Sequence, residues 1–290
     1  MQLAELYQDA VLQLDQAGIE EAETDAVQLL EYCFGLSRSQ VILQGSIDVD
    51  GEQLEIFRKV LKRRIAREPL QYITGSREFW SLDFIVSPAV LIPRPETEFL
   101  LDWLLSALRK KGMQPGKVLD MCTGSGVIAV VLARELASDI VLAVDHSQAA
   151  LHIAAQNVAR HTQDQQIHLI CSDLFAALRK GVDFDLIVSN PPYIAEEDLV
   201  DLDPEVREWE PESALFSGRR GLDVIENIAE QAYLYLRPGG WLCMEIGADQ
   251  GDIVYSLFAD HISGIYEHVE IINDWSNRPR LLAARKKESA

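Results

Sequence analysis

The stretch KVLDMCTGSGVIAVVLARELASDIVLAVD, residues 117–145, decides the fold. An apolar run from Lys117 to Met121 leads into Asp120-Met-Cys-Thr-Gly-Ser-Gly126, a helical pattern begins at Val127, and a second apolar run from Ile140 closes on Asp145. Two short runs separated by a helix read as parallel strands joined by a right-handed crossover. The alternation continues outward with runs at Ile167 to Asp173, Asp185 to Asn190 and Trp241 to Gly247, and with a helical stretch at Gln148 to Arg160. It implies a parallel sheet covered by helices on both faces. Asp249 to Asp260 reads as a helix, while His268 to Trp275 and Arg280 to Arg285 read as strands too close together for a crossover. Those two should pair antiparallel, giving an α/β fold with a seven-stranded, mostly parallel sheet and an antiparallel edge strand. Ligands of such sheets gather beyond the carboxyl ends of the strands, which places Asp120, Asp145, Asp173 and Asn190 on one rim.

Towards the N-terminus the period changes to that of helices. Leu3, Leu6, Ala10 and Leu14 form one apolar stripe, and Ala22, Ala26, Leu29, Leu30 and Cys33 form another that stops at Gly35. Ser37 and Gln40 have capping-box spacing before a short third helix, and Leu54, Phe57, Leu61 and Ile65 line a fourth. This small bundle should close near Glu68-Pro69. Aromatic and branched residues around Ser81-Leu82-Asp83 suit a β-hairpin, and the proline-rich segment Pro88 to Pro95 precedes a helix over Phe99 to Leu108. The domains therefore read as a helical unit at 1–70, a hairpin linker at 71–92 and the α/β domain at 93–290. The fourth helix carries Arg58, Lys59, Lys62, Arg63, Arg64 and Arg67. Such a cluster reads first as a solvated face, and otherwise as a docking surface for an acidic protein or RNA.

Charge narrows the partners. The 290 residues include 26 Lys and Arg against 46 Asp and Glu, a formal charge of −20, which opposes broad attraction to nucleic acid or anionic membrane. No secretory leader or membrane-spanning run is visible, so a cytoplasmic location is expected. Cys33, Cys122, Cys171 and Cys243 stand singly in apolar stretches, without the spacing of zinc or redox sites, and read as reduced core thiols. The six histidines show no ligand spacing either, and no metal is expected.

The glycine loop leaves two cofactors open. Gly124-Ser-Gly126-Val-Ile-Ala129 fits the dinucleotide pattern, with Asp145 at the ribose-binding distance, so a nicotinamide oxidoreductase is one reading. Asp120, however, would set a carboxylate beside a pyrophosphate, and no Lys or Arg lies between Val118 and Ala133 to offset it. A rim of Asp120, Asp145 and Asp173 favours the cationic S-adenosylmethionine electrostatically. The sheet with its reversed strand also resembles the Rossmann-like class I methyltransferases. By that resemblance Asp120, Cys122, Thr123, Gly124, Ser125 and Gly126 lie at the methionine end, Asp145 binds the ribose, and Asp173 with Leu174 flanks the adenine. Asp145 could equally cap the helix that follows it.

Asn190-Pro-Pro-Tyr193 closes the strand Asp185 to Ser189 at its ligand end. It resembles the signature of methyltransferases that act on a nitrogen conjugated to a planar π system. An amide nitrogen is a poor nucleophile and must be oriented. The Asn190 side-chain oxygen and the Pro191 carbonyl can accept its two N–H bonds, fixed proline torsions hold those acceptors, Pro192 adds to that stiffness, and Tyr193 offers a flat face. No general base is needed before transfer, because the proton becomes acidic only once the nitrogen is alkylated.

The connector separates a base amine from a protein glutamine. Glu68-Pro-Leu-Gln-Tyr-Ile-Thr-Gly75, Phe79, Pro88 to Glu98, Glu210 to Leu215, Gly221-Leu222 and Glu245-Ile-Gly247 resemble the bacterial peptide chain release factor N5-glutamine methyltransferases over essentially the whole chain. The resemblance implies methylation of the glutamine in the Gly-Gly-Gln motif of release factors, S-adenosylhomocysteine as by-product, a substrate-docking role for the helical unit at 1–70, and a place for Arg94 and Glu96 near the substrate pocket. Cys122 stands where that family often has glycine, Leu174 where some members have tryptophan, and Arg219-Arg220 where aspartate commonly precedes Gly221. A nucleic-acid exocyclic-amine methyltransferase is the alternative, though nucleic acid is not the expected substrate. A non-catalytic release-factor-binding module would have no use for Asn190 beside an acidic rim.

Overall fold

The computed structural model describes residues 2–43, 47–49, 51–162, 166–262 and 264–288. The chain divides into two compact units, residues 1–76 with 203–209, and residues 77–202 with 210–290.

The first unit packs helices α1 (Leu3–Gln16), α2 (Ala22–Phe34), α3 (Arg38–Leu43), α4 (Gly51–Ile65) and α5 (Leu70–Thr74). The helical stripes meet in a core of Leu3, Leu6, Ala10, Leu14, Leu29, Leu30, Phe57 and Leu61. Gly35 ends α2 in the left-handed conformation at φ 64°, which glycine adopts without cost. The Ser37–Gln40 capping box is formed in both directions, with Ser37 N donating to Gln40 Oε1 at 2.8 Å and Gln40 N donating to Ser37 Oγ at 3.4 Å. The segment 203–209, with its helix Pro204–Trp209, is 127 residues beyond Ser76 in the chain and belongs to this unit, a membership that no local pattern announces.

The basic face of α4 explains it. Arg64 is buried, and its guanidinium donates to Asp25 at 2.6 Å and to Glu205 at 3.0 Å. Arg67 donates to the other Glu205 oxygen at 2.6 Å, Arg63 pairs with Glu68, and Arg58 pairs with Glu55. Burial raises the pKa of Glu205, but its backbone and the two guanidiniums outweigh that and leave it lowered.

The second unit begins at a hairpin, β1 (Ser76–Phe79) and β2 (Leu82–Ile85). Its turn is Trp80-Ser81, both at positive φ (56° and 57°), so Leu82 and Asp83 belong to the strand rather than to the expected turn at 81–83. A two-residue turn of this hand matches the twist of its strands. There follow α6 (Pro95–Lys111), β3 (Lys117–Met121), α7 (Val127–Glu135), β4 (Ile140–Asp145), α8 (Gln148–His161), β5 (Ile167–Cys171) and β6 (Phe184–Ser189). After α9, the Pro204–Trp209 helix already described, come α10 (Asp223–Ala232), β7 (Leu236–Glu245), α11 (Gly251–Ser256), β8 (Tyr266–Asn273) and β9 (Pro279–Lys286).

The seven strands run in the order β5-β4-β3-β6-β7-β9-β8. The first five are mutually parallel; β9 lies antiparallel to both β7 and β8. The expected antiparallel pair therefore forms the edge, with the reversed strand as its inner member. Side chains alternate between faces along each strand. Val118, Leu186, Val188, Trp241 and Cys243 pack with α6, α7 and the hairpin phenylalanines. Leu119, Met121, Ile187, Leu242 and Met244 pack with Ile225, Ile228 and Ala229 of α10 and with Val254 of α11. The continuous apolar runs are thus strands buried on both faces. Among the described residues no helix is long and apolar enough to cross a membrane. Of the four thiols Cys243 is buried, but Cys171 is exposed at the end of edge strand β5, which corrects its reading as a core residue.

Candidate active site

A cavity of about 520 Å³ opens beyond the carboxyl ends of β3, β4 and β6, within the range that takes a nucleotide-sized ligand. One wall is the loop after β3, from Cys122 to Ser125, with Asp145, Asp173 and Leu174 beside it. Asn190 and Pro192 form the far end, and Ala89 to Leu91 with Pro93 face Pro211 and Phe216 across it.

Asp120 does not line this cavity. Its carboxylate is fully buried behind the loop, where Oδ2 accepts from Thr123 Oγ1 at 2.5 Å and from Ala129 N at 3.0 Å. Its Oδ1 has no hydrogen-bond partner among the described residues. Burial pushes its pKa up to about 7, against the two hydrogen bonds that favour the charged form. Asp120 thus shapes the loop from behind and presents one bare oxygen.

The two glycines of the loop do different work. Gly124, at φ 54°, has open space where a Cβ would stand, and its N–H donates to Asp145 Oδ2 at 2.8 Å. Gly126, at φ 83°, lies outside the lining; a Cβ there would come within 3.2 Å of the Ala154 side chain, so this glycine lets α7 pack on α8. Cys122 also has positive φ (62°), which explains why glycine suits the position, and burial pushes its thiol pKa well up. Leu174 is left-handed too, at φ 43°.

Asp145 accepts Ser147 N on its second oxygen at 2.9 Å, but the cap of α8 is Ser147, whose Oγ accepts from Ala150 N. Capping therefore leaves Asp145 at the cavity wall. Asp173 is exposed on the same rim. Asn157, unnoticed in the sequence, is fully buried and ties the glycine loop to the hairpin through Ser125 O and both backbone groups of Ile85.

At the other end the chain builds a network. Asn190 Nδ2 donates to Thr97 Oγ1 at 2.9 Å, and Thr97 Oγ1 donates to Glu245 Oε2 at 2.8 Å. Tyr193 donates its hydroxyl to Glu245 Oε1 at 3.1 Å. Glu245 ends β7, is completely buried, and has its pKa pushed up by that burial to about 7, with Thr97, Arg280 and Tyr193 pulling the other way. Thr97 is presented by the first turn of α6, which starts at Pro95. Neither Tyr193 nor Pro191 lines the cavity. The Tyr193 carbonyl accepts from Gln250 Nε2 at 2.9 Å, and Gly221 lies so close that a Cβ would stand 2.2 Å from that carbonyl oxygen. Only glycine fits there.

Arg94 and Glu96 are not in the lining either. Arg94 pairs with Glu210, whose side chain is 1% exposed and whose other oxygen accepts Ile92 N at 3.1 Å. Glu210 thereby fastens the Ala89–Pro93 wall. Thr97, Glu210 and Glu245 carry the site's polar scaffold; their stretches drew attention in the sequence, but nothing local assigned them roles.

The cavity lining carries Asp145 and Asp173 and, among the described residues, neither lysine nor arginine, so it suits a cationic ligand and not a pyrophosphate. With the sheet order, this defines a class I methyltransferase that uses S-adenosylmethionine. The comparisons agree. Residues 5–75 match the PrmC N-terminal domain family and residues 97–202 the methyltransferase small domain family. The fold is shared with a methyltransferase from Pyrococcus furiosus at a TM-score of 0.52 and 17% identity, over 79% of this chain and 96% of that one. The release factor glutamine methyltransferase of Koribacter versatilis is 37% identical over 100% of both chains, and that of Escherichia coli is 38% identical over 98% of this chain and 99% of that protein. The chain belongs to the release factor glutamine methyltransferase family.

Proposed function

We propose that this protein methylates the side-chain amide nitrogen of the glutamine in the Gly-Gly-Gln motif of peptide chain release factors, in the cytoplasm, with S-adenosylhomocysteine as by-product. The observation that carries this reading is the orientation of Asn190. One N–H of its carboxamide donates to Thr97, which leaves the oxygen at the opposite side as an acceptor beside the cavity.

S-adenosylmethionine, when bound, supplies an electrophilic methyl group on a sulfonium. Asp145 and Asp173 would hold its ribose and adenosine end, and the Cys122–Ser125 loop its methionine end. Asn190 Oδ1, at the lining, would accept one N–H bond of the substrate amide and the Pro191 carbonyl, just outside the lining, the other, while Tyr193 holds the turn that carries them through its hydroxyl on Glu245. The nitrogen lone pair is then aimed for in-line transfer, and the gain is one of proximity and orientation. A carbon–nitrogen bond forms as the carbon–sulfur bond breaks, and the surplus proton passes to water.

The relatives and the net charge of −20 favour a protein substrate over a nucleic-acid amine. Mass spectrometry of purified release factor, incubated with the enzyme and S-adenosylmethionine, tests the reading. One methyl on that glutamine is expected, and none in a release factor carrying Ala in its place. Methyl transfer to RNA or DNA, with none to folded release factor, would overturn it.

A further inference from the structure

Asn190 can serve as described only if its carboxamide does not flip. A flipped side chain would present two N–H donors to an amide that also brings donors, and the pair would repel. Something must therefore tell the two ends of the carboxamide apart, and among the described residues no backbone group of the Asn-Pro-Pro-Tyr turn does so.

We propose that Thr97 and Glu245 form a positioning relay that fixes the orientation of Asn190. A threonine hydroxyl has one proton. Glu245 Oε2 takes it at 2.8 Å, so the lone pairs of Thr97 Oγ1 remain as the partner of Asn190, and only the Nδ2 end can approach them, at 2.9 Å. The second Glu245 oxygen takes the Tyr193 proton at 3.1 Å, so one buried carboxylate sets two donors of the same site. With Glu245 ionised, above its pKa of about 7, the relay's polarity is defined by acceptor-only chemistry at one end and by the Asn190 oxygen at the other. Burial strengthens the device, since Thr97 is 2% and Glu245 0% exposed and water does not compete. Thr97 and Glu245 are thus positioning residues, acting through Asn190. The inference rests on the glutamine reading above only for the identity of the acceptor.

Three variants test it. Thr97→Val keeps the shape and removes the relay; Thr97→Ser keeps the hydroxyl; Glu245→Gln replaces an acceptor by a group that also donates. In the first and third, single-turnover transfer to intact release factor should fall about 100-fold, the scale of a misaligned reacting group. The dissociation constant for S-adenosylmethionine, measured by calorimetry, should move less than about threefold, a split that generally loosened packing would not give. Thr97→Ser should recover most of the rate. Nitrogen-15 spectra give a readout independent of substrate. The Asn190 Nδ2 protons, identified by their absence in Asn190→Ala, should be protected from solvent exchange in the wild type and in Thr97→Ser and unprotected in Thr97→Val. A wild-type rate in Thr97→Val, or unchanged Asn190 amide signals there, would overturn the relay. Failure of the wild type to methylate release factor would instead refute the substrate, and the amide signals would then decide the relay alone.

Discussion

Asp120→Asn should make the protein more stable and bind its cofactor less well. The carboxylate is fully buried, and one of its oxygens has no partner among the described residues. Burial lifts its pKa from 3.8 to about 7. In the unfolded chain the group ionises near pH 4, whereas in the folded one it stays protonated to about pH 7. Folding therefore takes up a proton across that window, and because the folded pKa is raised, stability is lost as pH rises through it. At about 1.4 kcal/mol per pH unit, the rise amounts to roughly 4 kcal/mol above pH 7, of which roughly 3 accrue between pH 5 and pH 8. Asparagine keeps an oxygen for Thr123 and Ala129 and carries no charge. The difference in Tm between Asp120→Asn and wild type should accordingly widen by about 6–10 °C from pH 5 to pH 8. Other buried acids titrate in both proteins and cancel. Calorimetry at pH 8 should show S-adenosylmethionine bound on the order of tenfold more weakly by the variant, since a neutral side chain no longer attracts a cation. A Tm difference that is constant or narrows with pH, or an unchanged affinity, would refute the view that a charge is kept here at a cost in stability for the sake of the ligand.

Glu210→Ala strands both Arg94 and the buried N–H of Ile92, so unfolding free energy should drop by about 3 kcal/mol and S-adenosylmethionine affinity by at least about tenfold, read by denaturant titration and calorimetry. Glu205→Ala leaves Arg64 with Asp25 and the Glu68 carbonyl and Arg67 without its carboxylate; a loss of about 2 kcal/mol is expected, and because Arg64 is only 9% exposed it should persist in 1 M salt, where a surface pair would be screened. Cys122→Gly relieves about 1–2 kcal/mol of left-handed backbone cost and forfeits a similar burial of the small thiol, so Tm should stay within a few degrees and cofactor binding should be retained; loss of binding would show that the thiol itself contacts the ligand.

The sheet was legible because strands buried on both faces must be apolar throughout, and because each of β3, β4 and β6 ends at or beside a polar residue, Asp120, Asp145 or Asn190. Much of what escaped reading depends on partners far apart in the chain. Thr97 meets Glu245 across 148 positions and Asn190 across 93, and no local period records such pairs. Gly124 and Gly126 look alike in sequence, and only the approach of Ala154 reveals that one serves the ligand wall and the other helix packing. The hairpin turn sits on Trp80-Ser81, residues that give no sign of positive φ. The basic helix is the most instructive case, since with the Asn-Pro-Pro-Tyr turn it supported the nucleic-acid alternative. Arg58, Arg63, Arg64 and Arg67 are engaged by Glu55, Glu68, Asp25 and Glu205, and among the described residues only Lys59 and Lys62 of the six cations stand exposed without an ion pair. Most of that charge is therefore spent inside the helical unit, and part of it on holding the segment 203–209 that continues from the Asn-Pro-Pro-Tyr turn. With the cluster so neutralised, little remains to set against the chain's net −20, and the nucleic-acid alternative loses its electrostatic support.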